Sequence, residues 1–148
     1  MAAAGFDPEP ARHAVARICR ALENLLNDDH GRWLIAEHPG GGAELELGYR
    51  AADGQVRTAI VDRTFIAAGV RWIIDYKLAE PQRESRDAFL ARQGSRYRTQ
   101  LEGYAALFRH RGGEPVRTAL YFPLLPHLEV YAAEALPPIP GGDEFPRQ

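Results

Sequence analysis

The chain contains a single cysteine, Cys19, among 148 residues. That excludes an intramolecular disulfide and a cysteine-built zinc site, suits a reducing compartment, and leaves Cys19 as a half-buried helix residue. The opening "MAAAGFDPEP" has no basic stretch followed by an apolar one, so it does not read as a secretory leader. No apolar run approaches the roughly 20 residues that a membrane-spanning helix needs, and no membrane partner is expected. Neither sign of charge dominates: 18 basic residues face 20 acidic ones, for a net charge of -2. A globally basic nucleic-acid coat is thereby excluded, although a local basic stripe is not. The phosphate-cradling pattern GxxxxGK[ST] is also missing, as is any internal repeat, so no nucleotide-driven motor is encoded here.

What remains is an average globular composition, 45% hydrophobic and 26% charged, in a length that fits one domain, 1–148. From Pro10, the residues Ala14, Val15, Ile18, Leu22, Leu25 and Leu26 recur at helical spacing. "NDDHGR" ends that helix, with Gly31 as a left-handed stop, and "RWLIAEH" makes a further short helical turn before "PGGG" breaks the chain. Three strand-like runs follow, "AELELGYR", "QVRTAIVDRTFI" and "VRWIIDYK", joined by the tight turns "ADG" and "AAG". They predict an antiparallel meander whose last run, apolar on both faces, is the covered central strand. A helix from about Ser85 to Arg109, with Gly94 as a break, leads to two last strands, "VRTALYFPLL" and "LEVYAA". The tail 137–148 is Pro/Gly-rich and reads as irregular. The whole is an α+β arrangement in the order α-β-β-β-α-β-β, with a mixed sheet.

The stretch "IVDRTFIAAGVRWIIDYKLAE" (60–80) places Asp62, Asp75 and Lys77 inside its greasiest runs. Buried charges must be paired or metal-bound. Alternation along the strand sends Arg71, Ile73, Asp75 and Lys77 to one face, and the short turn brings Asp62 across from Asp75. Two adjacent carboxylates repel unless a cation compensates them, and hard oxygen ligands suit Mg²⁺. A lysine at such a site can position water or steady a phosphate oxygen. The plainer alternative is a ladder of strand-end ion pairs.

The motifs "DRTF", "GVRWIIDYK" and "YRTQLEGYAALF" resemble the C-terminal nuclease domain of RecB- and AddA-type helicase-nucleases, in the PD-(D/E)XK superfamily. "LENLLNDDHGRWLIAEHPGGGAELEL" and "VRTALYFPLL" extend the likeness to roughly residues 15–131. The resemblance implies a restriction-endonuclease-like core of αβββαβ order, a mixed sheet flanked by helices, and Mg²⁺ (or Mn²⁺)-dependent exonucleolytic cleavage of DNA in double-strand break repair and recombination. It implies that Asp62 and Asp75 bind the metal, with Glu44 completing the shell, and that Lys77 is the catalytic lysine. Gln100 and Tyr104 match the "QxxxY" signature, and Tyr97 shares their helical face. Arg83, Arg86, Arg92, Arg96, Arg98 and Tyr97 are the residues expected at DNA. Two departures stand out. Leu78 occupies the place where the family usually has threonine, and the family's upstream "GxxxH" histidine has no counterpart. His13 and its neighbours do not fit that pattern, and His30, His38, His110 and His127 lack metal-ligand spacing. The chain is therefore expected to be a C-terminal piece of a bacterial cytoplasmic helicase-nuclease. Its partners would be the upstream helicase domains, a partner subunit and DNA, and the piece alone would have feeble activity. A non-catalytic DNA-guiding or scaffold module of the same fold, and a stand-alone nuclease or resolvase, are the alternatives.

Overall fold

The computed structural model describes residues 8–132, and the tail expected to be irregular lies outside them. Two helices come first, α1 (Glu9–Asn27) and α2 (Asp29–Ile35). The strands β1 (Gly42–Arg50), β2 (Val56–Ala67) and β3 (Val70–Tyr76) follow, then helix α3 (Arg86–Arg109), β4 (Val116–Phe122) and β5 (His127–Ala132). The fold is α+β: a five-stranded open mixed sheet, in the order β1-β2-β3-β4-β5, with three helices. Only β3 and β4 run parallel, because α3 carries the chain back between them; the other neighbours are antiparallel. Ala68 and Gly69 both take positive φ (49° and 73°) between β2 and β3. That is the two-residue turn whose twist matches the flanking strands.

The sheet is covered on both sides. Leu34, Phe65, Trp72, Ile74, Ala119 and Tyr121 form the core on the α2 side. On the α3 side, Leu47, Val61, Ile73, Ala105, Phe108 and Val116 form one cluster, and Phe89, Leu101, Leu120 and Phe122 another. As expected, β3 is central and almost wholly covered, and in β4 every residue is buried.

Three sequence expectations are corrected. Gly31 is no left-handed stop; it lies buried inside α2, where a Cβ would stand 2.2 Å from the carbonyl oxygen of Leu25. Asp28 makes the corner instead. Its extended backbone ends α1, and its carboxylate accepts the Gly31 N–H and the Tyr121 hydroxyl, each at 2.9 Å. Burial, with this acidic partner, holds the Tyr121 hydroxyl far above its ordinary range. Likewise, α3 runs unbroken through Gly94, whose lack of a side chain lets the Tyr131 ring press against the helix. Finally, Cys19 is exposed rather than half-buried, and Val15, Ile18, Leu22 and Leu26 of the same helix are each about half exposed. Only Ala21 is buried in α1, while Leu25 packs against the core.

Candidate active site

The site is built where β2 and β3 stop pairing. Their ladder ends at Arg63↔Ile74, and the next pair outward is Asp62 and Asp75. Side-chain alternation slips there. Val61 packs with Ile73 under α3, yet the guanidinium of Arg63, two residues on, reaches the carbonyls of Leu34 and Ala36 on the α2 side. In an unbroken strand the two would share a face. On β1, Glu44 falls opposite Asp62, between the pairs Ala43↔Arg63 and Leu45↔Val61, and adopts a left-handed backbone with φ 49°. The irregularity in one strand is thus matched in its neighbour, as local kinks in a sheet require.

The slip turns Asp62 toward β3, where its carboxylate accepts the backbone N–H of Tyr76 at 2.9 Å. A side chain replaces a main-chain carbonyl in the ladder and is pinned by doing so. Asp75 is buried, 4% exposed, and faces Asp62 directly. Burial raises the proton affinity of the Asp75 carboxyl and the Asp62 charge adds to it, while Lys77 opposes both. The Lys77 ammonium lies 2.5 Å from Asp75 Oδ2, but that oxygen lacks a well-directed hydrogen bond. The same ammonium sits 3.8 Å from the centroid of the Tyr97 ring, an aromatic face that favours a cation.

Helix α3 completes the arrangement. Gln100 Nε2 donates to the Tyr104 hydroxyl at 2.8 Å, and that hydroxyl donates to the Ile60 carbonyl at 2.9 Å. The pair therefore grips the backbone of β2 two residues before Asp62. Of the arginines, Arg92 is paired with Glu84 at 2.5 Å, Arg98 with Glu102 at 3.2 Å, and Arg86 bonds His127 at 2.8 Å. Arg96 lies over the Tyr97 ring, 5.4 Å from its centroid. Arg96 thus shares the Tyr97 ring with Lys77.

The two aspartates and the lysine lie together, and the Tyr97 ring lies against the lysine. Glu44 does not join them: it is exposed, and among the described residues no group of three or more His, Cys, Asp or Glu side chains is arranged to hold a metal. A separate hollow of about 610 Å³ between α3 and β5 is lined by Arg86, Arg98, His127, Glu129 and Tyr131, among others, and contains none of Asp62, Asp75, Lys77 and Tyr97.

Two features were missed in the sequence. Gln93, one turn before Tyr97 on α3, is 3% exposed, and its Oε1 has no hydrogen-bond partner among the described residues. The other was open to simple counting: Lys77 is the only lysine in the chain, all 17 other basic residues being arginine. A compact ammonium is kept at one position, where a planar guanidinium would not do the same work.

Compared with protein-family models and with curated proteins, the chain matches none. Among the described residues, no helix is long and apolar enough to cross a membrane.

Proposed function

We propose that this chain is a metal-dependent deoxyribonuclease domain of the PD-(D/E)XK type, similar to the nuclease domain of RecB- and AddA-type helicase-nucleases, hydrolysing DNA phosphodiester bonds. The observation that carries this reading is the buried Asp75 carboxyl, paired with the Lys77 ammonium and neighboured by Asp62, where two strands separate. An ion-pair ladder would set one acid against one base; here the buried Asp75 carboxyl, paired with Lys77, also carries the repulsion of the Asp62 charge beside it. The residues fit a divalent cation. Asp75 Oδ2 is buried and, beyond its ion pair with Lys77, has no well-directed hydrogen bond, and a pair of carboxylates is the donor set a hard ion takes.

Asp62 and Asp75 would hold Mg²⁺ or Mn²⁺, which when bound supplies Lewis-acid polarisation of the phosphate and a more acidic water. The chain's own residues do the rest. Lys77, held against Tyr97, meets the charge of a phosphate oxygen, and Arg96 adds a second cation over the same ring. Gln100 and Tyr104 keep β2, and with it Asp62, in place. The upstream helicase domains, partner subunit and role in break repair belong to the same proposal.

The test is a DNA-cleavage assay with Mg²⁺ or Mn²⁺ on the 148-residue chain and on a longer chain carrying the upstream helix expected to supply a histidine. The short chain should cut feebly and the long one readily. In the long chain, Asp75→Ala and Lys77→Ala should each abolish cutting while circular dichroism shows the fold intact. If Asp75→Ala cuts as well as the unaltered protein, the carboxylate cluster is structural and the nuclease reading fails.

A further inference from the structure

Phe89, Gln93, Tyr97, Leu101 and Ala105 recur every four residues along α3 and so form one stripe on its sheet-facing side. Phe89, Leu101 and Tyr97 pack in one cluster with Ala79. Lys77 lies on the Tyr97 ring. The segment 77–79, as it leaves β3, therefore runs beside the stripe between Tyr97 and Phe89. Gln93 occupies that interval, about 6 Å from Tyr97 along the helix axis.

A leucine would suit this stripe better than an amide. Gln93 is nonetheless buried, 3% exposed, with an Oε1 that no donor satisfies among the described residues. Leaving a buried acceptor unmet is unfavourable, so this amide calls for a donor that arrives in some state of the protein. Asp75 Oδ2 is a second buried acceptor, held by the Lys77 ion pair without a well-directed hydrogen bond. The Lys77 ammonium already pairs with Asp75 and lies on the Tyr97 ring, one helical turn from Gln93; it has three N–H donors on a flexible stem and a single ion-pair partner. Arginine could not serve two such acceptors in turn, because its donors are locked in a plane.

We propose that Gln93 is a positioning residue for Lys77: its buried Oε1 accepts the Lys77 ammonium when the Asp75 carboxylate is engaged by a divalent cation. Lys77 then has two stations, Asp75 in the cation-free protein and Gln93 in the loaded one, both beside the Tyr97 ring. The cation half of this proposal rests on the nuclease reading, whereas the Gln93–Lys77 contact does not.

Because Lys77 is the sole lysine, protein grown with ¹³C,¹⁵N-lysine gives one ε-methylene signal, which reports its surroundings directly. Asp75→Ala removes the first station without any metal, and Asp75→Asn is the companion variant should the alanine form fold poorly. In that background, nuclear Overhauser contacts from the Lys77 ε-methylene to the Gln93 side chain should appear. Gln93→Leu should displace the Lys77 signal, and Gln93→Glu, which keeps an acceptor, should bring it back. If the signal is the same with Gln93 and with Leu at this position, and no contact is seen, the assignment is overturned, whether or not the protein cuts DNA. Adding Mg²⁺ to the unaltered protein should produce the same contact. If it produces none while the Asp75→Ala arm does, the cation reading falls and the Gln93 contact stands. In the cleaving longer chain, Gln93→Leu should lower kcat about tenfold or more with KM unchanged, and Gln93→Glu should recover most of that loss. An equal loss in both variants would count against a positioning role.

Discussion

The Asp62 carboxylate accepts the backbone N–H of Tyr76 at 2.9 Å, standing in for a main-chain carbonyl where β2 and β3 part. A residue proposed for chemistry is thus also a splice in the sheet, and the two roles separate by substitution. Asp62→Asn keeps an oxygen for the Tyr76 N–H and removes the charge beside Asp75. Asp62→Ala leaves that N–H unmet. The Asn variant should exceed the Ala variant in stability by about 1–3 kcal/mol, measured by urea unfolding. Equal midpoints would show that the bond contributes nothing.

Asp75 predicts a pH dependence of definite sign. Burial, reinforced by Asp62, raises its folded-state proton affinity above that of an ordinary aspartate, so the folded protein holds this proton to higher pH than the unfolded chain does. Its contribution to stability is therefore fully present below the unfolded value and is lost as pH rises through the raised folded value. Asp75→Asn should flatten that decline, so that its stability advantage over the unaltered protein is largest near neutral pH and vanishes in acid. Thermal unfolding across the acid-to-neutral range measures it. A constant difference at all pH values would contradict the assignment.

A cation that relieves the same repulsion should stabilise the fold. At about ten times its Kd, Mg²⁺ or Mn²⁺ should add roughly 1.4 kcal/mol near neutral pH, seen as a rise in Tm that EDTA reverses. Asp75→Asn should abolish most of the rise, while Glu44→Gln, which alters an exposed residue outside the cluster, should leave it nearly intact.

Arg117 is an anomaly on the other side of the sheet. It is 3% exposed in β4, its guanidinium lies over the Trp72 ring, and its Nε has no hydrogen-bond partner among the described residues. A buried cation without full compensation destabilises by more than its aromatic contact returns. Arg117→Met should raise stability by about 1 kcal/mol or more in urea unfolding. A loss would mean that the ring contact outweighs the desolvation.

Gly31→Ala tests the corner between α1 and α2. A methyl group there would stand 2.2 Å from a backbone oxygen that cannot step aside, so a loss of about 1–3 kcal/mol is expected by thermal melting.

Much of the architecture is local and was therefore legible in the sequence. Period-two alternation marked β1, a run apolar on both faces marked β3, the Ala68–Gly69 turn joined β2 to β3, and Ser85 at the start of α3 caps it through the Ala88 N–H. The meander followed because short turns permit only antiparallel neighbours, and that alone brought Asp62 near Asp75. What periodicity could not reveal were choices made by contacts distant in sequence. The amphipathic pattern of α1 guarantees a helix but not a partner for its face, and Val15, Ile18, Leu22 and Leu26 stay largely exposed. Gly31 and Gly94 look like helix breakers in isolation; only packing against Leu25 and Tyr131 shows that they admit close approach. Strict alternation would place Val61, Arg63 and Phe65 on one face, yet the slip at Asp62 divides them, because Arg63 finds its acceptors on α2 while Asp62 takes the Tyr76 N–H. Residue identities thus determined which groups could do chemistry, and the tertiary structure decided which of them meet, since hydrogen bonds and burial between distant segments outweigh local preference.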